Sequence, residues 1–246
     1  MLEALRTHVL WANKELARRG LARFTFGNAS AIDRARRLVI IKPSGVAYDV
    51  LTADDLVVTE LNGRVVAGEL RPSSDLPTHL DLYRAFPAIG GIVHTHSHFA
   101  TVWAQSGREI PCVGTTHADY FRGPIPVTAP LGADEIAGDY EAATGRAIAR
   151  QMFGINPLHM PAVLVHGHAS FCWGATVRDA VETATVLEAV AAMAYRTACL
   201  NPNVAPISDA LRERHFQRKH GPGAYYGQEA PEPTTPPAPQ AERLTR

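Results

Sequence analysis

The clearest periodic signal in the chain is at its start. Leu2, Leu5, Val9, Ala12, Leu16 and Ala17 recur at helical spacing, so residues 2–19 read as an amphipathic helix that Gly20 ends. Short β-branched runs follow. Leu38–Ile41 reads as a strand stopped at Pro43, and residues 56–61 and 64–66 flank Asn62-Gly63, a hairpin signal. Residues 77–86 read as a helix, 91–96 as a buried strand, and 98–105 as a helix that Ser97 would cap. A strand over 125–128, one long helix over 134–153, strands over 162–166 and 171–173, and helices over 177–200 and 208–220 complete the pattern. Strands alternating with helices point to a layered α/β domain without internal repeats. The last stretch differs. Residues 229–246 hold five prolines and almost no apolar side chains, so they read as a disordered tail after a domain spanning 1–228.

Composition narrows the classes. Lys+Arg and Asp+Glu balance at 24 each, which argues against nucleic-acid or membrane partners. No apolar run approaches the ~20 residues of a membrane span, and no secretory signal pattern is present. Cys112, Cys172 and Cys199 are scattered and odd in number, which fits a reducing cytoplasm better than a disulfide framework.

Two constellations carry chemistry. His94 and His96 stand at i and i+2 on an expected strand, so both imidazoles project from one face. His168, after a second apolar strand, offers a third ligand, and Asp75 an oxygen. Such a set suits zinc or manganese with an open coordination position. His98, His117 and His166 read as neighbours rather than ligands, and His79 as a helix-face residue. The second constellation suits an anion. Lys42-Pro43-Ser44-Gly45 offers a cation, a hydroxyl and exposed backbone. Ser73 and Ser74 precede an expected helix start, where free N–H groups bind phosphate; Gly27-Asn28 adds a third turn. No nucleotide-binding fingerprint is present.

The stretches TFGNAS, IKPSGV, TADD, PSSDLPTH, GGIVHTHS, TTHADYF and KHGPGAYYGQ occur in that order. Together they resemble the class II aldolase and L-ribulose-5-phosphate 4-epimerase superfamily, over roughly residues 1–228. The resemblance implies a single three-layer α/β/α domain with a central, mainly antiparallel sheet. It implies a homotetramer with active sites between subunits. It also implies a divalent metal, Zn2+ or Mn2+, held by His94, His96, His168 and Asp75, and a sugar phosphate held through Gly27, Asn28, Ser44, Gly45, Ser73 and Ser74, with Lys42 beside them. Asp119 and Tyr226 match an acid/base pair, and His215 a histidine that assists the tyrosine. The position of Tyr226 after the last helix suggests that Asp119 comes from one subunit and Tyr226 from its neighbour. The expected reaction is 4-epimerisation of L-ribulose 5-phosphate to D-xylulose 5-phosphate through cleavage and re-formation of a C–C bond. Alternatives are an aldolase that releases its aldehyde and a non-catalytic domain like the adducin head. Related aldolases usually carry Glu where this chain has Asp75, which favours the epimerase. One departure stands out: the family usually has Gly after the third metal histidine, where this chain has Ala169.

Overall fold

The computed structural model describes residues 2–227. Seven strands form one sheet: β1 (Asn28–Asp33), β2 (Leu38–Ile41), β3 (Val57–Glu60), β4 (Val65–Ala67), β5 (Gly91–Thr95), β6 (Ala162–Leu164) and β7 (Ser170–Gly174). Their order is β4-β3-β2-β1-β5-β7-β6, and every neighbouring pair is antiparallel. The helices are α1 (Leu2–Arg18), α2 (Leu76–Ala85), α3 (His98–Ser106), α4 (Thr115–Ala118), α5 (Ala133–Ala137), α6 (Tyr140–Gln151), α7 (Val177–Leu200) and α8 (Asp209–His220).

The sheet is covered on both faces, which gives the expected three layers. On one face α1 is pinned to β1 by the buried Asn13 amide, which donates to the Ala29 carbonyl (3.1 Å) while its Oδ1 accepts from the Ala29 N–H (2.8 Å). Helix α7 lies against the same layer, and its Glu188 carboxylate accepts from the Phe99 and Ala100 amides at 2.9 and 3.0 Å. That carboxylate satisfies the first turn of α3; the expected cap, Ser97, holds the N-cap position but makes no side-chain capping bond. On the other face His79 and Tyr83 of α2 both meet Ser30 of β1, at 2.7 and 2.8 Å. Helix α6 packs beside α2, where the Thr78 hydroxyl donates to the Glu141 carbonyl (2.6 Å).

Three expectations needed correction. Strand β1 was not anticipated: Asn-Ala-Ser-Ala-Ile-Asp lacks the β-branched density of a strand, yet it sits at the centre of the sheet between β2 and β5. The long helix over 134–153 is two helices, divided at Gly138, with the Asp139 carboxylate accepting from the Ala142 amide at the start of α6 (3.1 Å). Residues 125–128, expected as a strand, are joined instead by isolated bridges, Ile110 to Ile125 and Val127 to Leu164, and by the His166 amide donating to the Thr128 hydroxyl at 3.1 Å. The tail expected over 229–246 lies outside the described residues.

Candidate active site

Strand β5 and the turn after β6 deliver the histidines. Strand β5 is paired on both sides, with Asn28 opposite His94 on β1 and Phe171 opposite it on β7. This double pairing fixes the backbone, and the period of two then sends His94 and His96 to the same side. Their rings lie 5.0 Å apart, and the His168 ring is 5.0 Å from His94 and 4.9 Å from His96. One potential ligand atom from each lies within 4.8 Å of the others. The His94 Nδ1 faces the Ser170 carbonyl at 2.9 Å, which makes Nδ1 the protonated nitrogen and leaves Nε2 free as a ligand.

Electrostatics keep this triad ready for a cation. Burial lowers the His168 pKa to about 4, aided by the neighbouring His94 and His96 charges and opposed by Asp75. Burial and His94 likewise push His96 below its ordinary value. Asp75 feels burial, which would raise its pKa, but the charges of His94 and His79, a hydrogen bond from Asn28 and the charge of His168 outweigh it and hold the carboxylate ionised. The Asn28 amide donates to Asp75 Oδ2 at 2.6 Å and to Ser73 Oγ at 2.9 Å. Asp75 therefore faces the triad with one oxygen already engaged, and it falls outside the group of mutually close ligand atoms. Three imidazoles converging beside a carboxylate fit a divalent transition metal.

Ala169 does not disturb the third ligand. The positive φ of that turn belongs to Gly167 (φ 69°), one residue before His168; Ala169 is buried with ordinary backbone geometry.

Next to the histidines lies a cleft of about 390 Å³. Gly27, Asn28, Lys42, Ser44, Gly45, Ser73, Ser74 and Asp75 line it together with His94, His96 and His168, so all eleven metal- and anion-binding candidates share one cavity. Gly27 has φ 82°, and a Cβ there would lie 2.6 Å from the His94 carbonyl oxygen, so the turn admits only glycine. The Lys42 ammonium is buried; it donates to the Pro43 carbonyl at 3.2 Å and lies 5.0 Å above the Tyr48 ring. Burial lowers its pKa. Two lining residues lie outside every stretch singled out from the sequence, Tyr140 and Glu141, which open α6. The Tyr140 hydroxyl lies 3.4 Å from His168 Nδ1. Only the Asp139 cap and the break at Gly138 would have signalled a helix start there. His79, expected on a helix face, is fully buried, its Nδ1 on Ser30 and its Nε2 without a hydrogen-bond partner among the described residues.

Asp119, His215 and Tyr226 do not line this cleft. They form a second cluster where α4 meets α8. Asp119 Oδ1 lies 3.0 Å from His215 Nδ1, and Arg218 donates to both Asp119 oxygens from Nε and Nη2 (2.9 and 2.6 Å). Burial raises the Asp119 pKa, but the hydrogen bonds and charges of Arg218 and His215 outweigh it, so the pKa falls below the ordinary value. The same Arg218 guanidinium lies 5.0 Å from the Tyr226 ring centroid. Within the chain described, Asp119 and Tyr226 thus both lie against Arg218, an arrangement in which one subunit could supply the pair.

An antiparallel α/β/α sandwich carrying a three-histidine cluster beside a polar cleft defines the class. The chain belongs to the family described as class II aldolase and adducin N-terminal domain, whose pattern matches residues 7–195. Among its relatives, the L-ribulose-5-phosphate 4-epimerase UlaF of Salmonella paratyphi A is 52% identical over 227 residues, covering 92% of this chain and 100% of that protein. A solved L-fuculose 1-phosphate aldolase superposes with a TM-score of 0.74 at 26% identity, covering 87% of this chain and 95% of the other. An L-fuculose 1-phosphate aldolase from Glaciozyma antarctica PI12 shares the fold, with a TM-score of 0.72, 18% identity, and 88% and 81% coverage.

Proposed function

We propose that this chain is a metal-dependent L-ribulose-5-phosphate 4-epimerase that forms D-xylulose 5-phosphate, acting as a homotetramer with Zn2+ or Mn2+ at His94, His96 and His168 and with Asp75 beside them. The observation that carries the reading is the single cleft in which three converging histidines adjoin the Gly27, Ser44–Gly45 and Ser73–Ser74 turns. The full-length 52% identity to the Salmonella epimerase supports the choice of substrate.

The chemistry follows from the substrate. The C4 hydrogen of a 2-ketose is not next to the ketone, so its direct removal is unfavourable. Breaking the C3–C4 bond, turning the aldehyde fragment and re-forming the bond inverts C4 without removing that hydrogen. A divalent cation supplies Lewis acidity for the negative charge that develops on the ketone side. The Gly27, Ser44–Gly45 and Ser73–Ser74 turns hold the phosphate with Lys42 beside them, so the aldehyde fragment is retained while it turns. Attack on two faces needs proton transfer to and from the C4 oxygen on two sides. The ionised Asp119 carboxylate, held by Arg218, serves as one partner and the Tyr226 hydroxyl as the other. Both belong to a cluster apart from the cleft of their own chain, so each working site pairs the histidines of one subunit with the Asp119–Tyr226 cluster of its neighbour.

The test is product analysis by 13C NMR with L-ribulose 5-phosphate, alongside elemental analysis of protein purified without chelator. Expected are D-xylulose 5-phosphate, about one divalent metal per chain, and loss of both metal and turnover in His96→Asn. Free glycolaldehyde phosphate as the main product would support the aldolase reading instead, and full activity of metal-free protein would overturn the proposal.

A further inference from the structure

Tyr226 is poorly provided for by the fold. It lies beyond the end of α8 in a segment of glycine, proline and alanine, and it is 59% exposed. Among the described residues its backbone is tied to α8 through Arg218, whose carbonyl accepts from the Tyr225 and Tyr226 amides at 3.0 and 3.2 Å. The ring must be placed by something else, and two cations face it. Arg218 is already engaged in the two-point pairing with Asp119. Lys219 makes no ion pair among the described residues. Its ammonium lies 3.7 Å from the Tyr120 ring centroid and 4.7 Å from that of Tyr226. The Tyr120 ring is itself anchored, its hydroxyl donating to Glu182 Oε1 of α7 at 2.8 Å. Glu182, Tyr120, Lys219 and Tyr226 therefore form a continuous stack from the α7 surface to the chain end.

We propose that Lys219 is a positioning residue that, seated between Tyr120 and Tyr226, fixes the Tyr226 ring beside the Asp119–Arg218 pair. The proposal rests on the reading that Tyr226 exchanges a proton with substrate. Burial between the rings, which lowers the Lys219 pKa, fits a partly desolvated ammonium, the setting in which attraction to an aromatic face is strongest. The interaction needs a cation, not lysine in particular, and a guanidinium sits over an aromatic face equally well.

Three variants test it: Lys219→Met, Lys219→Arg and Tyr120→Leu, each measured for kcat, KM, bound metal and amide exchange at Tyr225 and Tyr226. Lys219→Met is expected to lose roughly ten-fold in kcat, the scale of a partly desolvated cation–π contact, with KM and metal content at wild-type values. Exchange at the two amides should speed up. Lys219→Arg should restore kcat to within about three-fold of wild type by the same interaction. Tyr120→Leu should move kcat and exchange in the same direction as Lys219→Met. Wild-type kcat in Lys219→Met, an arginine variant as impaired as the methionine one, or a loss accompanied by loss of metal would each overturn the proposal. Amide exchange needs no turnover, so the placement of Tyr226 is tested even if the wild-type chain proves not to be an epimerase; unchanged exchange in Lys219→Met would overturn it there.

Discussion

Gly27→Ala should destabilise the protein far more than its one added methyl suggests, because two costs fall on the same residue. Gly27 has φ 82°, a conformation that costs an L-residue about 1–2 kcal/mol. Its Cβ would also meet the His94 carbonyl oxygen at 2.6 Å and Thr95 Cα at 3.3 Å. Both are backbone atoms of a strand paired on two sides, so they cannot turn aside as a side-chain tip would. Forcing such a contact adds roughly 1–3 kcal/mol, for a total near 2–5 kcal/mol. Gly154 provides the control: its φ is 77°, but a Cβ there meets nothing within 4 Å, so Gly154→Ala should cost only the conformational share of about 1–2 kcal/mol. Urea unfolding of both variants at one fixed protomer concentration measures the difference, since assembly contributes to apparent stability. The strain in Gly27→Ala falls on the strand that carries His94, so bound metal should also drop in that variant and not in Gly154→Ala. Equal destabilisation of the two would refute the close-approach argument.

Mixed oligomers should distinguish the two halves of the site. Hybrids of His96→Asn with Tyr226→Phe should recover part of the activity, because some sites then combine an intact triad with an intact acid/base cluster, whereas hybrids of Asp119→Asn with Tyr226→Phe should recover none. Recovery in the second mixture would place those two residues on different chains. His117 should add a pH-dependent term to stability: burial lowers its pKa from 6.5 to about 4, partly opposed by its hydrogen bond to the Gly123 carbonyl. Between those values the unfolded chain binds a proton that the folded chain does not, so stability falls as pH drops. From pH 7 to pH 5 the wild type should lose about 2 kcal/mol more than His117→Gln; parallel losses in urea titrations would contradict this.

The longest helices of this fold were readable because their apolar positions repeat with a period that few other structures share, whereas the short α4 was not anticipated. Residues 2–18 and 177–200 are the plain cases. Strand β1 was hidden because its inward face is polar: Asn28 and Ser30 serve Ser73, Asp75, His79 and Tyr83 instead of an apolar core. Its function in the site removed the pattern by which strands are recognised. The site followed the same rule. The histidines and the turns proposed to hold phosphate lie in short local motifs, and all of them line one cleft. Tyr140 and Glu141 enter that cleft only because α6 begins anew after Gly138, a break that periodicity over 134–153 obscures. Arg218 and Lys219 read as an ordinary basic helix end, which favours the helix dipole. Their contacts with Asp119 and Tyr226 depend on how α8 docks against α4, and local sequence carries no trace of that docking.

In the proposed reaction C4 is inverted by breaking the C3–C4 bond and not by removing the C4 hydrogen. Running the metal-loaded enzyme with L-ribulose 5-phosphate in heavy water and following C4 by NMR tests it most directly. D-Xylulose 5-phosphate should accumulate with protium retained at C4 through many turnovers. Deuterium appearing at C4 in step with product would contradict it.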